Sequence, residues 1–371
     1  MSSPIKYKIE VPVPNHVHDT SRSLSSFIDL VVKYKDNIDS LYFPLGHVAR
    51  GVDVWGIRAP GWVYSTEGEV NIDSVFAWEG ALKEIVSYVD LPITVLMNNT
   101  YNPAFYDPGQ MRLIKSKVDY YIQNFRVKSF TIADFSLIPH LLSWGQKISL
   151  STNSHNSFAE LDMALSVYGP DTFESIVVQR DLNRNPQKLK SYFEKRGLMD
   201  RVVLMVNEGC VNACPFKASG DVEISVSDIT STGNKIHTAG CTLLNREDLA
   251  WTFLTSPFMT HDMVNTTYPD IKTIKLAGRN LPVSNLKRQL DHWITGTPYK
   301  LSEVLNVSTV SEITTADLEQ DKNYVRNVMT CNKECFICRK CETTYNSFFS
   351  KHPSIKLMLA STQKDITSAN L

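Results

Sequence analysis

Short apolar runs alternate with longer amphipathic stretches from Tyr7 to Leu276. Apolar runs bounded by polar turns are typical of buried strands, and apolar residues three or four positions apart are typical of amphipathic helices. The eight predicted strands are Tyr7–Val13, Leu41–Leu45, Ile93–Asn98, Ser129–Ala133, Ile148–Ser151, Ser175–Gln179, Val202–Val206 and Ile271–Leu276. The predicted helices are Ser23–Tyr34, Val75–Val89, Met111–Asn124, Leu137–Trp144, Ser157–Tyr168, Pro186–Arg196 and Asp248–Val264.

Strands that alternate with helices predict an α/β fold with a parallel sheet. Eight such units favour closure into a (β/α)8 TIM-like barrel over an open, doubly wound sheet. The chain has no G-x-G-x-x-G motif after its first strand and no G-x-x-x-x-G-K-[ST] motif, so nothing favours the nucleotide-binding open sheets. The sequence therefore predicts a barrel.

Two connections are too long to be simple turns. One runs from Gly46 to about Asp73, and the other runs from Asn207 to about Asp270. Because both follow strands, both would overhang the C-terminal face of a barrel, where active sites are built. The pattern weakens after Leu301, which predicts a barrel domain over residues 1–300 and a C-terminal extension over residues 301–371.

The composition is that of a soluble globular protein. The chain has 371 residues, of which 43% are hydrophobic and 21% are charged. Its net charge of −1 excludes a strongly basic nucleic-acid coat but leaves a local basic cleft open. No apolar run approaches the roughly 20 residues of a membrane span, and the N-terminus lacks a signal-peptide pattern. We therefore expect a cytoplasmic protein without a membrane span.

All seven cysteines lie in the second half of the chain. Cys210 and Cys214 stand four apart after the seventh predicted strand, and Cys241 stands alone in the same long connection. An odd number of cysteines in an intracellular chain argues against a disulfide framework, and close spacing lets several thiolates meet at one metal. The alternative is that they are small buried side chains, which applies best to Cys241. The other four, which we call the C-terminal cysteine group, are Cys331, Cys335, Cys338 and Cys341.

Polar residues at the ends of the predicted strands are the other site candidates. Asn98 ends the third strand, Asn153 the fifth and Arg180 the sixth, while Arg279 follows the eighth. The two arginines suit a carboxylate or a phosphate, which a guanidinium binds through two hydrogen bonds. His155 could act as an acid or base, or it could be a structural hydrogen-bonding residue. Each polar residue could instead cap a helix or bond a neighbouring loop.

Four segments resemble motifs of the collagenase-like peptidase family U32. The segment 38–46 (IDSLYFPLG) is similar to the family's GADAVYLG strand, and segment 149–153 (SLSTN) to its HLSTQ strand. Segment 175–183 (SIVVQRDLN) resembles VVLARELS, and segment 274–279 (IKLAGR) resembles FKIEGR. Their order and spacing extend the resemblance over roughly residues 5–290.

This resemblance implies a barrel that holds an iron–sulfur cluster through four cysteines. Several members take part in oxygen-independent hydroxylation of the ubiquinone ring or of bases in transfer and ribosomal RNA. Those that modify RNA are thought to draw the oxygen from a metabolite such as prephenate, whose carboxylates Arg180 and Arg279 would meet here. Some members work as heteromers.

Seven cysteines allow three arrangements. In the first, Cys210, Cys214 and Cys241 share one [4Fe–4S] cluster with a cysteine of the C-terminal group. In the second, that cluster has three cysteine ligands, and the C-terminal cysteine group binds its own metal. In the third, the C-terminal group is a structural zinc site, although its C-x2-C-x2-C core is closer to ferredoxin spacing. The sequence leaves these open.

The leading hypothesis is an iron–sulfur enzyme that hydroxylates or otherwise modifies an aromatic ring or a nucleobase, with Asn98 and Asn153 beside the two arginines at the mouth. Its partners would be a small-molecule or nucleic-acid substrate, an electron donor and a second protein subunit. The alternative is a non-catalytic, metal-stabilised barrel that serves as a partner subunit. A peptidase ranks third, since neither G-x-S-x-G nor H-E-x-x-H occurs.

Overall fold

The computed structural model describes residues 5–49, 52–55, 63, 70–152, 158–210, 214, 217, 220–222, 254–305, 313–331 and 334–351. Its strands are β1 (Lys8–Pro12), β2 (Ile38–Pro44), β3 (Gly46–Ala49), β4 (Val52–Val54), β5 (Ile93–Met97), β6 (Val127–Ile132), β7 (Ile148–Ser151), β8 (Phe173–Val177), β9 (Val202–Met205) and β10 (Thr273–Lys275). Eight parallel strands close into a barrel in the order β1-β10-β9-β8-β7-β6-β5-β2, and β3 and β4 form a separate antiparallel hairpin. The predicted (β/α)8 barrel is confirmed.

Helices surround the barrel and continue into the C-terminal extension. They are α1 (Ser21–Tyr34), α2 (Ile72–Tyr88), α3 (Pro108–Asn124), α4 (Leu137–Ser143), α5 (Phe158–Tyr168), α6 (Pro186–Glu194), α7 (His261–Thr267), α8 (Val283–Thr295), α9 (Leu301–Val304), α10 (Thr315–Gln320), α11 (Lys322–Met329), α12 (Cys335–Cys338) and α13 (Lys340–Lys351). None of these helices combines the length and apolar content that a bilayer crossing requires.

Polar side chains at the helix starts satisfy N–H groups that have no partner within the helix. The Thr20 side chain accepts a hydrogen bond from the Ser23 N–H at the start of α1. Asp107 accepts one from the Gln110 N–H at the start of α3. These helices therefore begin at their caps, ahead of the first apolar residue that the periodicity detects.

The predicted helix Asp248–Val264 is wrong over residues 256–260 and confirmed over residues 261–264. Residues 256–260 are not helical, and α7 begins only at His261. Pro257 has no N–H to donate and disfavours helical geometry in the residue before it. Thr260 then caps α7 by accepting a hydrogen bond from the Met263 N–H. The sequence analysis also missed the β3–β4 hairpin and α8.

The outward faces of the barrel strands pack against the helices as one hydrophobic core. Phe43 on β2 meets Trp78 of α2 edge-to-face with ring centroids 5.9 Å apart, and Trp78 also contacts Trp55 at 5.3 Å. Leu301 of α9 and Leu318 of α10 are fully buried in the same core. The C-terminal extension therefore packs on the barrel, and the boundary at residue 300 stays a prediction.

His292, on the buried face of α8, is held in its neutral form. Its Nε2 accepts a hydrogen bond from the His261 N–H at 3.3 Å, and its Nδ1 lies 2.9 Å from the Thr297 carbonyl. Nδ1 must therefore carry the proton, and protonation of Nε2 would break the bond to His261. Burial lowers the pKa of His292 to about 4.

Because of His292, we expect the free energy of unfolding to fall as the pH is lowered. Between about pH 6.5 and pH 4 the unfolded chain binds a proton here and the folded chain does not, so the free energy of unfolding should drop by about 3 kcal/mol. His292→Gln removes this titration, and urea unfolding across that pH range should show a flatter dependence for the variant. Equal slopes would contradict the assignment.

Candidate active site at the barrel mouth

Arg180, Glu208 and Cys210 meet beyond the carboxyl ends of β8 and β9. Arg180 lies in a 3-10 turn and is 5% exposed, and its Nη1 stands 3.8 Å from Oε1 of Glu208. The same Glu208 oxygen accepts a hydrogen bond from the Cys210 backbone N–H at 3.3 Å. The Ser256 hydroxyl donates to the Gly209 carbonyl at 2.8 Å and so fixes the backbone of this segment. A cation, a carboxylate and a thiol therefore share one corner of the mouth.

The charges at this corner act on one another. Burial opposes the charge of Arg180, but Glu208, Cys210, Asp221 and Asp181 together outweigh burial and raise the pKa of the guanidinium. Burial raises the pKa of the Cys210 thiol to about 11, although Arg180 and Lys217 act in the opposite direction. Cys210 is thus a thiol at neutral pH until a metal ion displaces its proton. Cys214 is partly buried.

Tyr42 and Arg279 form a second part of the mouth. The hydroxyl of Tyr42, a buried residue of β2, donates a hydrogen bond to the Leu276 carbonyl just after β10. Burial raises the pKa of Tyr42, while Arg279 lowers it and Glu208 raises it, so both charged side chains lie near this ring. Arg279 Nη1 donates to the Trp55 carbonyl at 2.9 Å, which ties the mouth to the chain just after β4.

Two neighbouring amides after β5 have polar atoms without partners. Asn99 is fully buried, and neither its Oδ1 nor its Nδ2 bonds any described residue. The Oδ1 of Asn98 is also buried without a partner among the described residues. An unmet buried polar group costs about 1–3 kcal/mol, so these amides are positions where a bound molecule or water would bond.

Glu10 and Lys275 form a buried ion pair inside the barrel. The Lys275 Nζ lies 2.5 Å from Oε2 of Glu10 and 4.0 Å from the ring centroid of Tyr42. Both side chains are at most 5% exposed. The sequence analysis did not single out Glu10. The sequence feature that could have identified Glu10 is an acidic residue in the middle of an apolar strand, where side chains alternate between the two faces and this one faces the barrel interior.

A histidine–aspartate pair in the β3–β4 hairpin also escaped the sequence analysis. His47 Nδ1 bonds Oδ1 of buried Asp53, and the Asn102 amide donates to the Asp53 carbonyl at 3.1 Å. A carboxylate at Nδ1 fixes the ring orientation and leaves Nε2 for another partner. The residues lie six positions apart on two strands whose pairing the sequence did not predict.

The C-terminal cysteine group lies on three short helical segments. Cys331 follows α11, Cys335 and Cys338 begin and end α12, and Cys341 is the second residue of α13. Arg339 turns the chain between α12 and α13 with φ of 50°, a left-handed conformation that is rare outside glycine. Burial raises the pKa of Cys341 to about 11, with Arg184 lowering it and the other three cysteines raising it. The four cysteines therefore act on one another electrostatically, although in this structure no three of these described side chains are placed to share a metal ion.

Arg184 fixes the C-terminal extension to the barrel. Its guanidinium donates to the carbonyls of Phe258 at 2.9 Å and Leu254 at 2.8 Å, and to the Tyr324 hydroxyl of α11 at 3.2 Å. Arg184 is 1% exposed, and among the described residues all three acceptors are uncharged. Its charge lowers the pKa of Cys341, against the effect of burial. A buried cation thus faces the C-terminal cysteine group.

Among known proteins, the chain has a likeness to solved structures. No family model matches the chain, and no curated protein matches it. A solved structure, described as that of a U32 peptidase, aligns over 75% of this chain and 95% of its own, with 14% identity and a TM-score of 0.41. The chain is similar to that one structure. At this identity the likeness concerns the fold, and the activity in that description belongs to that protein.

The described structure covers part of the predicted site. Asn153, His155 and Cys241 lie outside the described residues. Arg180 and Cys210 come together, and Arg279 lies near Tyr42, whereas no described contact joins Asn98 to them. Within the described ranges, no three His, Cys, Asp or Glu side chains are placed to share a metal ion. The barrel site therefore shows two of its three predicted thiols.

Proposed function

We propose that this chain binds an iron–sulfur cluster at its barrel mouth and takes part in oxygen-independent hydroxylation of an aromatic ring or a nucleobase, free or within RNA. The observation that carries the proposal is the Arg180–Glu208 pair beside Cys210 at the carboxyl end of the barrel. The strand motifs and the spacing of Cys210 and Cys214 add to it.

The residues present fit a thiolate-bound cluster. Cys210 and Cys214 supply soft donors, and Cys241 in the same connection would supply a third. The positive charges of Arg180 and Lys217 act on the Cys210 sulfur and would offset the negative charge of metal-bound thiolates. A bound cluster would supply one-electron redox chemistry and, at an iron with an open position, Lewis acidity.

The side chains at the mouth suit an anionic co-substrate. Arg180 would hold a carboxylate of an oxygen donor such as prephenate, with Glu208 fixing the orientation of its guanidinium. Arg279 would hold a second carboxylate from the neighbouring part of the mouth. Asn98 and Asn99 would offer their unmet amide atoms to the polar groups of the ring to be modified.

We assign a second metal centre to the C-terminal cysteine group. A tetrathiolate centre is anionic, and the buried charge of Arg184 on Cys341 would stabilise it. The centre would be a second [4Fe–4S] cluster or a zinc ion. An electron donor and a second protein subunit complete the proposal.

The test is the metal content of the full chain purified without oxygen, measured as iron, acid-labile sulfide and zinc. We expect about four irons if the mouth alone holds a cluster and about eight if both sites do. Cys210→Ser/Cys214→Ser should remove the mouth cluster and leave the C-terminal centre. Cys331→Ser/Cys335→Ser should remove the C-terminal centre and leave the mouth cluster, so each double variant is the control for the other.

Unchanged iron in Cys210→Ser/Cys214→Ser would refute the mouth cluster. Zinc without sulfide in the wild-type chain would refute the redox function and favour a structural barrel that serves as a partner subunit. With iron present, the reduced protein is incubated with prephenate and either total RNA or a quinone precursor. Products that gain one oxygen atom, measured by mass spectrometry, identify the substrate class.

A further inference from the structure

Small hydroxyl side chains occupy many of the inward-facing positions of this barrel, beside larger ones such as Leu96 and Val203. Large branched side chains usually fill such an interior. Residues alternate along each strand, so that large apolar side chains such as Ile9, Val11 and Phe43 face the helices. The positions between them face the barrel axis. The inward-facing hydroxyl residues are Ser40, Thr94, Ser129, Thr131, Ser149, Ser151, Ser175 and Thr273.

These hydroxyls bond one another only in part. Ser149 accepts a hydrogen bond from Ser175 at 2.8 Å and shares one with Ser129 at 2.7 Å. Thr131 is 1% exposed, and its hydroxyl has no hydrogen-bond partner among the described residues. A buried hydroxyl without a partner costs about 1–3 kcal/mol, and ordered water is the usual remedy where the surroundings are polar and there is room.

There is room at the N-terminal face of the barrel. A cavity of about 780 Å³ opens there, between charged side chains at the starts of the strands. Its lining continues inward to Glu10, Ser175, Val203 and Thr273, all of which face the barrel axis. At the rim, Lys128 pairs with Asp39 at 3.0 Å. Polar groups therefore line a path from solvent to Glu10.

The inner end of this path adjoins the mouth. Glu10 pairs with Lys275, and Lys275 lies against the Tyr42 ring. Glu208 and Arg279, on the far side, act electrostatically on the same tyrosine. The Glu10–Lys275 pair therefore stands between the cavity at one face and the candidate active site at the other.

We propose that the barrel interior holds a column of ordered water that carries protons from the N-terminal face to the mouth through Glu10 and Lys275. Lys275 releases a proton to a water molecule at the mouth as a column water, which regains its proton from solvent at the N-terminal face, protonates the Glu10 carboxylate. Glu10 then returns its proton to the Lys275 amine, so the pair ends as it began and one proton has moved. The use of that proton rests on the proposed function, whereas the water column does not.

High-resolution crystal structures of the full chain test the column. In the wild type we expect ordered water bonded to the hydroxyls of Thr131, Ser149 and Ser175 and to the Glu10 carboxylate. Ser149→Val/Ser175→Val replaces two hydroxyls with methyl groups and should remove these waters. Ser166→Val, on the exposed surface of α5, is the matched control and should keep them.

A second measurement follows proton access directly. The ammonium hydrogens of Lys275 in ¹⁵N-lysine-labelled protein should exchange with solvent about tenfold more slowly in Ser149→Val/Ser175→Val, because exchange then needs a local opening. If the valine variant does not fold, Ser149→Ala/Ser175→Ala removes the same hydroxyls without overpacking and should also slow the exchange.

A dry interior in the wild type, or unchanged exchange in the variants, would overturn the inference. Neither result depends on bound iron. A chain without iron but with a filled column would refute the proposed function alone, and an iron-loaded chain with a dry barrel would refute the column alone.

Discussion

Lys275→Met should lower the free energy of unfolding by about 3–5 kcal/mol, because it leaves the Glu10 carboxylate buried without its partner. Glu10 is 3% exposed, so water that reaches its carboxylate through the barrel replaces the charge of the ammonium group only in part. The loss of the contact with the Tyr42 ring adds to the effect. Urea or guanidinium unfolding at neutral pH measures the change.

The double variant Glu10→Gln/Lys275→Met is the matched control. It removes both charges at once, so most of the stability lost in Lys275→Met should return. If the double variant is as unstable as the single one, the destabilisation comes from lost packing and not from an unpaired charge. The Glu10–Lys275 ion pair would then contribute less to the free energy of unfolding than we expect.

The barrel could be predicted from the sequence because its outward faces carry a local signal. Runs such as Val202–Val206 are continuous and apolar, as expected for parallel strands that are buried on both faces. Each of the eight predicted runs overlaps one barrel strand. The predicted and observed ends differ: the strand predicted to begin at Ser175 begins two residues earlier in the structure, at Phe173. Register and closure depend on pairing between distant segments, which no single run encodes.

Part of the candidate site could be located for the same reason. Arg180 and Asn98 follow strands, and strand ends of a barrel meet at one face, whereas their roles in the site stay predictions. Glu10 could not be found in this way, since its importance comes from Lys275, which lies 265 positions away. His47 and Asp53 needed a hairpin that the sequence did not predict.

Arg184 shows most clearly which site residues cannot be predicted from the sequence alone. It stands in a polar segment, Asn183–Asn185, which on sequence alone is typical of an exposed turn. In the structure it is buried, and its three acceptors come from segments 70 to 140 positions away. Such a residue can be recognised only once the C-terminal extension is docked on the barrel.

Arg184→Met should therefore lower the free energy of unfolding by about 3 kcal/mol or more, because two buried carbonyls and one buried hydroxyl lose a charged donor. The apolar methionine stem keeps much of the packing against Phe258 and Tyr324. The effect should be greatest in the C-terminal extension, since Tyr324 of α11 is one of the three acceptors. Denaturant unfolding and limited proteolysis measure the two effects.

The control is Tyr324→Phe, which removes one of the three Arg184 hydrogen bonds and the bond that the Tyr324 hydroxyl donates to the Leu254 carbonyl at 3.1 Å. It should cost only about 1–2 kcal/mol. Arg184→Met should speed cleavage within the extension much more than Tyr324→Phe does. If the two variants behave alike, Arg184 does not hold the extension on the barrel. The positive charge that acts on Cys341 would then belong to a side chain that is not fixed in place. Arg184 would no longer support a metal centre in the C-terminal cysteine group.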